Sequence, residues 1–209
     1  LPPGLAVVAV PTREDPRDVL VGVPGGLDAL PAGARVGTGS PRREAQLRLA
    51  RPDLTIAPVR GNVGTRLERL DSGDLDALVL AAAGLNRLGI ARGDITPLAP
   101  EVSTPAPGQG LLALEGRSDG PATQAVAALD DPSAHVCLRA ERWILAALGG
   151  GCMQPIGALA TVADGALTLT AFAASEDGAR HARITDHGDP GDPEGLAERI
   201  AGQLERVRA

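Results

Sequence analysis

The chain has 209 residues, 44% hydrophobic and 22% charged, which is enough for one or two lobes with real cores and wrong for a disordered tail. Its net charge is -6 and all 20 basic residues are arginine, which excludes a phosphate-loop lysine and lysine Schiff-base chemistry. The acidic balance, with Trp143 and Phe172 the only aromatics, argues against a nucleic-acid partner.

The longest nearly apolar run, residues 77–85, is far below the roughly 20 residues that cross a bilayer, and no charged-then-apolar leader opens the chain. The expectation is a cytoplasmic monomer with no membrane partner. Met153 is the only methionine, so residues upstream of Leu1 are expected in the gene product. Cys137 and Cys152 make no disulfide framework, and His135, His181 and His187 lack ligand spacing, so no metal is expected.

In chain order, residues 5–10 and 19–23 read as strands, and residues 34–38 as a third that ends at a Gly-Ser-Pro turn. Ser40 is placed to cap a helix with Pro41 at its first position, and Pro52 closes that helix near Arg51. A strand over 54–59 and a helix over 63–70 follow, then a strand over 76–81 and a short helix ending near Gly89. This alternation predicts parallel strands with helical crossovers.

Residues 104–110 have the proline and glycine density of a hinge, and 111–115 reads as a strand beyond it. A helix is expected from Ser133 to about Leu148, then strands over 156–163 and 166–173 joined by Asp164-Gly165, a hairpin signal. A strand near 181–185 and a terminal helix from about Pro193 complete a small α+β unit.

Chemistry concentrates in two places. Between Arg35 and Arg69 eight arginines face three acids, a local excess of five positive charges inside an acidic chain. Arg42 and Arg43 follow the end of one predicted strand, Arg60 the end of the next, and Arg87 lies beyond the third. In a parallel sheet those ends border one crevice, and guanidinium forks there suit carboxylates or phosphates. The amides of Gly39 and Ser40 at a helix start add donors and a positive dipole end.

The second place is Cys152 in GGGCMQP, where a thiol on a glycine loop is open to attack a partner. A buried, inert thiol is the alternative there, and the expected state of Cys137, inside a helix. The residues alone reach an anion-binding α/β crevice, a hinge and a candidate reactive thiol, and no substrate. A two-lobed small-anion binding protein without catalysis fits that pattern equally.

Three stretches together resemble the porphobilinogen deaminase (hydroxymethylbilane synthase) family: residues 36–89, which open VGTGSPRREAQ and contain VRGNVGTRLERL; STPAPGQGLLALE at 103–115; and AERWILAALGGGCMQPIGALA at 140–160. The resemblance implies a periplasmic-binding-protein-like pair of parallel-sheet lobes, the first incomplete, plus a small C-terminal α+β domain. The lobes would be 1–10 with 111–129 for the remnant of the first, 16–104 for the second, and 133–209 for the third. It further implies a transferase of tetrapyrrole biosynthesis that joins four porphobilinogen molecules into hydroxymethylbilane and releases ammonia.

By the same resemblance a dipyrromethane cofactor is held by thioether to Cys152, and Ser40, Arg42, Arg43 and Arg66 hold its carboxylates. Arg60, Arg66 and Arg87 hold incoming or growing pyrroles, and Thr38, Gly39 and Gln109 line the cleft. The family's catalytic aspartate lies in an HSMKD-type segment with no counterpart here, so no catalytic residue is assigned in this chain and the chain alone is expected to be inactive. The family often reads GTSSLRR where this sequence has GTGSPRR, so Gly39 removes a hydroxyl and leaves donation there to the backbone.

Overall fold

A computed structural model describes residues 1–117, 120–151, 154–175 and 178–208. In chain order the elements are β1 (Leu5–Ala9), β2 (Asp18–Val21), β3 (Arg35–Gly37), α1 (Pro41–Ala50), β4 (Thr55–Ala57), α2 (Val63–Asp71), β5 (Ala77–Ala81), α3 (Ala82–Arg87) and β6 (Ile95–Pro97). Then come β7 (Leu114–Arg117), α4 (Pro121–Val126), α5 (Pro132–Ala147), β8 (Ile156–Ala163), β9 (Ala166–Ala174), β10 (His181–Gly188) and α6 (Pro193–Arg208).

Five strands form one sheet in the order β4-β3-β5-β2-β6. β3 is parallel to both β4 and β5, linked by the crossovers α1 and α2, while β2 runs antiparallel to β5 and β6. The expected uniformly parallel sheet is therefore a mixed one. Between β2 and β3 the chain makes only a short 3-10 turn, Gly26–Ala29, and without a crossover helix the chain returns reversed. β6 went unpredicted, since three residues ending in Pro97 give no periodic signal.

Alternation along the strands sends side chains to two cores. Val19, Val21, Leu78 and Leu80 meet Leu67, Leu70 and Leu85 on one face. Leu20, Val36, Ala77 and Val79 meet Leu30, Leu47, Leu54 and Leu98 on the other. Asp18 has the parity of Leu20 and so enters the second layer, the one α1 covers.

Helix α1 starts as the sequence predicts: Ser40 accepts a hydrogen bond from the Arg43 amide at 3.4 Å, with Pro41 in the first turn. Its inward face is unusual, because the buried residues are Arg42, Arg43, Gln46 and Leu47. α2 is capped by Asn62, whose side chain accepts from the Thr65 amide at 2.9 Å.

The last three strands form an antiparallel meander, β10-β9-β8, with α5 and α6 on one face around Ile144, Leu167, Leu169, Leu196, Ile200 and Leu204. The Asp164-Gly165 turn joins β8 to β9 with both residues at positive φ, 51° and 76°, as a type I′ hairpin requires. β1 pairs antiparallel with β7. β7 begins at Leu114, later than the strand expected over 111–115, because the Leu111 amide closes a turn onto the Gly108 carbonyl at 3.0 Å. Val10 packs with Ala134 and Leu138 of α5 and so ties this ribbon to the C-terminal unit.

Candidate functional site

The parallel trio β4-β3-β5 brings its carboxyl ends to one edge of the sheet, and the segments leaving that edge carry the expected arginines. Residues 38–43 leave β3, Arg60 follows β4 with Arg66 on α2, and Arg87 ends α3 beyond β5. The first two loops lie against each other: the Thr38 amide donates to the Ala57 carbonyl at 3.0 Å and the Val59 amide to the Thr38 carbonyl at 3.4 Å. A Cβ on Gly39 would meet the Val59 carbonyl oxygen at 2.5 Å, so only glycine lets the loops approach this closely. Thr38 Oγ1 accepts the Ser40 amide at 3.2 Å and braces the turn that starts α1.

The structure divides the assigned residues into two groups. Arg42, Arg43 and Gln109 converge on Asp18, which is fully buried. Arg42 donates through Nη1 to Asp18 Oδ2 at 2.7 Å and through Nη2 to Oδ1 at 3.3 Å. Arg43 reaches Oδ1 through Nε at 3.0 Å and Nη2 at 2.7 Å, with Nη1 on the Val79 carbonyl at 3.2 Å. Gln109 Nε2 adds a bond to Oδ1 at 3.0 Å and the Ser103 hydroxyl one to Oδ2 at 2.7 Å.

Burial by itself pushes the Asp18 carboxyl up, but the fields and hydrogen bonds of Arg42 and Arg43 outweigh it and hold the group well below the usual carboxylate range. One carboxylate faces two guanidiniums, so the cluster carries one net positive charge.

Arg60 and Arg87 are exposed and Arg66 is half-buried. Among the described residues Arg60 has no hydrogen-bond or ion-pair partner. Arg66 spends Nε on the Gly61 carbonyl at 2.8 Å and leaves its terminal nitrogens without a protein partner among the described residues. Arg87 donates one bond, to the Gly110 carbonyl at 2.8 Å. Arg60, Arg66 and Arg87 therefore keep guanidinium nitrogens without a protein partner among the described residues, and such nitrogens suit carboxylate oxygens.

Cys152 lies outside the described residues. The other thiol, Cys137, is buried in α5, and burial together with the charge of Glu141 pushes it up to about 11. It stays protonated at neutral pH and is no nucleophile. No group of histidine, cysteine and acidic side chains among the described residues is arranged to hold a metal. No helix among them is long and apolar enough to cross a membrane.

Sequence reasoning missed Asp18, Glu141, Arg13 and Gln46. Glu141 is fully buried on α5 and accepts from Arg13 Nη1 at 2.6 Å, from Arg13 Nη2 at 3.2 Å, from the Gly108 amide at 2.6 Å and from the Ala160 amide at 2.7 Å. The only sequence signal for this joint is an acid on the apolar face of α5, one turn before Ile144 and Leu145.

Fold and site together define an α/β protein whose sheet edge gathers several arginines. Comparison with known proteins narrows the class. "Porphobilinogen deaminase, dipyromethane cofactor binding domain" matches residues 1–125, and "Porphobilinogen deaminase, C-terminal domain" matches residues 135–206. Porphobilinogen deaminase of Thiobacillus denitrificans is 48% identical over 206 residues, which is 98% of this chain and 67% of that protein. The enzyme of a Roseiflexus species is also 48% identical over 206 residues, 68% of its length, and that of Chromobacterium violaceum is 52% identical over 180 residues, 58% of its length. This chain belongs to the porphobilinogen deaminase family, transferases that polymerise porphobilinogen to hydroxymethylbilane in tetrapyrrole biosynthesis.

Proposed function

We propose that this sheet edge serves the family's reaction in the complete gene product, where four porphobilinogen units are joined head to tail with loss of ammonia, while the 209 residues alone do not turn over. The observation that supports it best is the arginine set on the segments leaving the sheet edge, where Arg60 has no partner among the described residues and Arg66 and Arg87 spend one bond each, together with the net positive cluster of Arg42, Arg43 and Asp18. Every ring of the growing chain bears acetate and propionate groups. Each added unit therefore brings two more negative charges that only fixed cations can offset once water is displaced.

Dipyrromethane, when bound, supplies the pyrrole primer on which the chain is extended. The residues present fit it: Arg66 and the Ser40 turn would hold its carboxylates, with Cys152 as the thioether anchor. Arg42 and Arg43 act there chiefly through their charge, since their own hydrogen bonds go to Asp18, Thr104 and Val79. Arg60 and Arg87 orient the incoming ring by its acid groups, with Thr38, Gly39 and Gln109 shaping the wall. The lobes are read as 1–10 with 111–129, 16–104 and 133–209. The same reading makes the protein a cytoplasmic monomer acting on a small molecule rather than on nucleic acid or membrane, which the acidic composition supports.

Intact-mass spectrometry of the complete gene product after incubation with porphobilinogen tests this reading. The expected result is an added mass equal to two porphobilinogen units less two ammonias, mapped to Cys152, present in Cys137→Ala and absent in Cys152→Ala. A protein that stays unmodified, or carries the adduct on Cys137, would sink it.

A further inference from the structure

We propose that Arg183, on β10, is a positioning residue that fixes the buried Arg42 by clamping Gln46 and Thr104. Arg183 Nε donates to Thr104 Oγ1 at 2.9 Å, and Nη2 donates to Gln46 Oε1 at 2.7 Å and to the Val102 carbonyl at 3.4 Å. Its guanidinium carbon lies 5.3 Å from the centre of the Phe172 ring, which sets the plane of the fork.

Gln46 is in turn bound both ways to the Thr104 backbone. The Thr104 amide donates to Gln46 Oε1 at 2.7 Å, and Gln46 Nε2 donates to the Thr104 carbonyl at 3.1 Å. That carbonyl also accepts Arg42 Nη1 at 2.6 Å. The Arg42 fork thus rests on two supports, Asp18 and Thr104, and Arg183 holds the second one from another sheet.

Two features separate this network from a surface ion pair. Thr104 and Gln46 are 0% and 1% exposed, so bonds lost there are not replaced by solvent. β8 also presses on the same carbonyl: a Cβ on Gly157 would come within 2.7 Å of Thr104 O, and the Ala158 amide donates to the Pro105 carbonyl at 2.9 Å. The β8–β10 meander is therefore coupled to Arg42 through the Thr104 peptide unit, with Arg183 as the side-chain bolt. The consequence for cofactor loading rests on the reading of Arg42 and Arg43 as the charge that receives carboxylates.

The test is NMR on protein labelled with 15N, comparing Arg183→Met and Arg183→Lys with the parent. In the Met variant the Thr104 amide should exchange roughly ten-fold faster or more, because a charge-assisted pair of bonds is lost. Its Arg42 and Gln46 side-chain signals should shift, with the signals of Arg92, which pairs with Asp71 and Asp94, unmoved. Lysine can serve one of the two acceptors, so Arg183→Lys should restore the parent signals partway. It also carries the test if the Met variant fails to fold.

Thr104 and Arg42 signals that stay in place in either variant would overturn the proposal. The carboxylate reading fails separately: unchanged porphobilinogen-derived mass in Arg43→Leu would refute that reading while leaving the Arg183 result as measured.

Discussion

Asp18 shows how one side chain decides what its neighbours can do. Two arginines buried without a counter-charge would cost more than packing could return, and Asp18 supplies that charge together with acceptors for Ser103 and Gln109. Asp18→Asn keeps the shape and removes the charge, leaving both guanidiniums to share one amide oxygen. It should lower stability in urea by about 3–5 kcal/mol, the usual cost of stripping one partner from a buried pair.

The pH dependence has a definite sign. The Asp18 carboxyl is depressed in the folded protein from its ordinary 3.8, so its stabilisation is complete above that pH. It is lost as the pH falls below it. The acid limb of the stability profile should therefore flatten in Asp18→Asn, and an unchanged limb together with an unchanged urea midpoint would show that the cluster contributes nothing.

At the scale of elements, close approach is the controlling quantity. β8 lies against the Thr104-Pro105 segment at Gly157, where any side chain would run into backbone oxygen. Gly157→Ala should cost about 1–3 kcal/mol through forced displacement of β8. Gly202, in α6, has nothing within 4 Å of an added Cβ, and Gly202→Ala should stabilise by about 0.5–1 kcal/mol through helix propensity. Thermal melts of the two variants should move in opposite directions, and a shared direction would contradict the packing described here.

Local chemistry made many elements legible in the sequence. Ser40-Pro41 announced α1 and Asp164-Gly165 announced the hairpin, since caps and turns are written within a few residues, whereas the Asp131 cap of α5 was not read as one. The inward face of α1 was not legible: Arg42 and Arg43 read as ligand-facing at a strand end, and nothing nearby in sequence announces a buried carboxylate partner. That partner lies far away along the chain: Asp18 is 24 residues from Arg42 and 91 from Gln109. The reversed course of β2 and the strand β6 escaped for the same reason, being fixed by pairing rather than by pattern. The exposed arginines at the sheet edge were legible because a parallel sheet gathers strand ends whatever lies between them.

At the scale of the whole molecule, Glu141 is the point where four segments meet. It takes Arg13 from the strand connection after β1, the Gly108 amide from the proline-glycine segment, and the Ala160 amide from β8, while standing on α5. Arg13 and Glu141 are 128 residues apart, so the bond closes most of the chain into one loop. Burial raises the Glu141 carboxyl, and Arg13 and the two amides work against that rise, so the joint holds only while all its donors are in place.

A double-mutant cycle measures this coupling. Arg13→Met leaves a buried carboxylate and Glu141→Gln leaves a buried guanidinium, so each single change should be severe. The double change removes both charges and should cost less than the two singles added, by about 1–3 kcal/mol. The proline-glycine segment should also become more open to limited proteolysis in Glu141→Gln, since the Gly108 amide loses a charged acceptor. Simple additivity, with cleavage there unchanged, would mean that these four segments are held together elsewhere and that Glu141 only fills space.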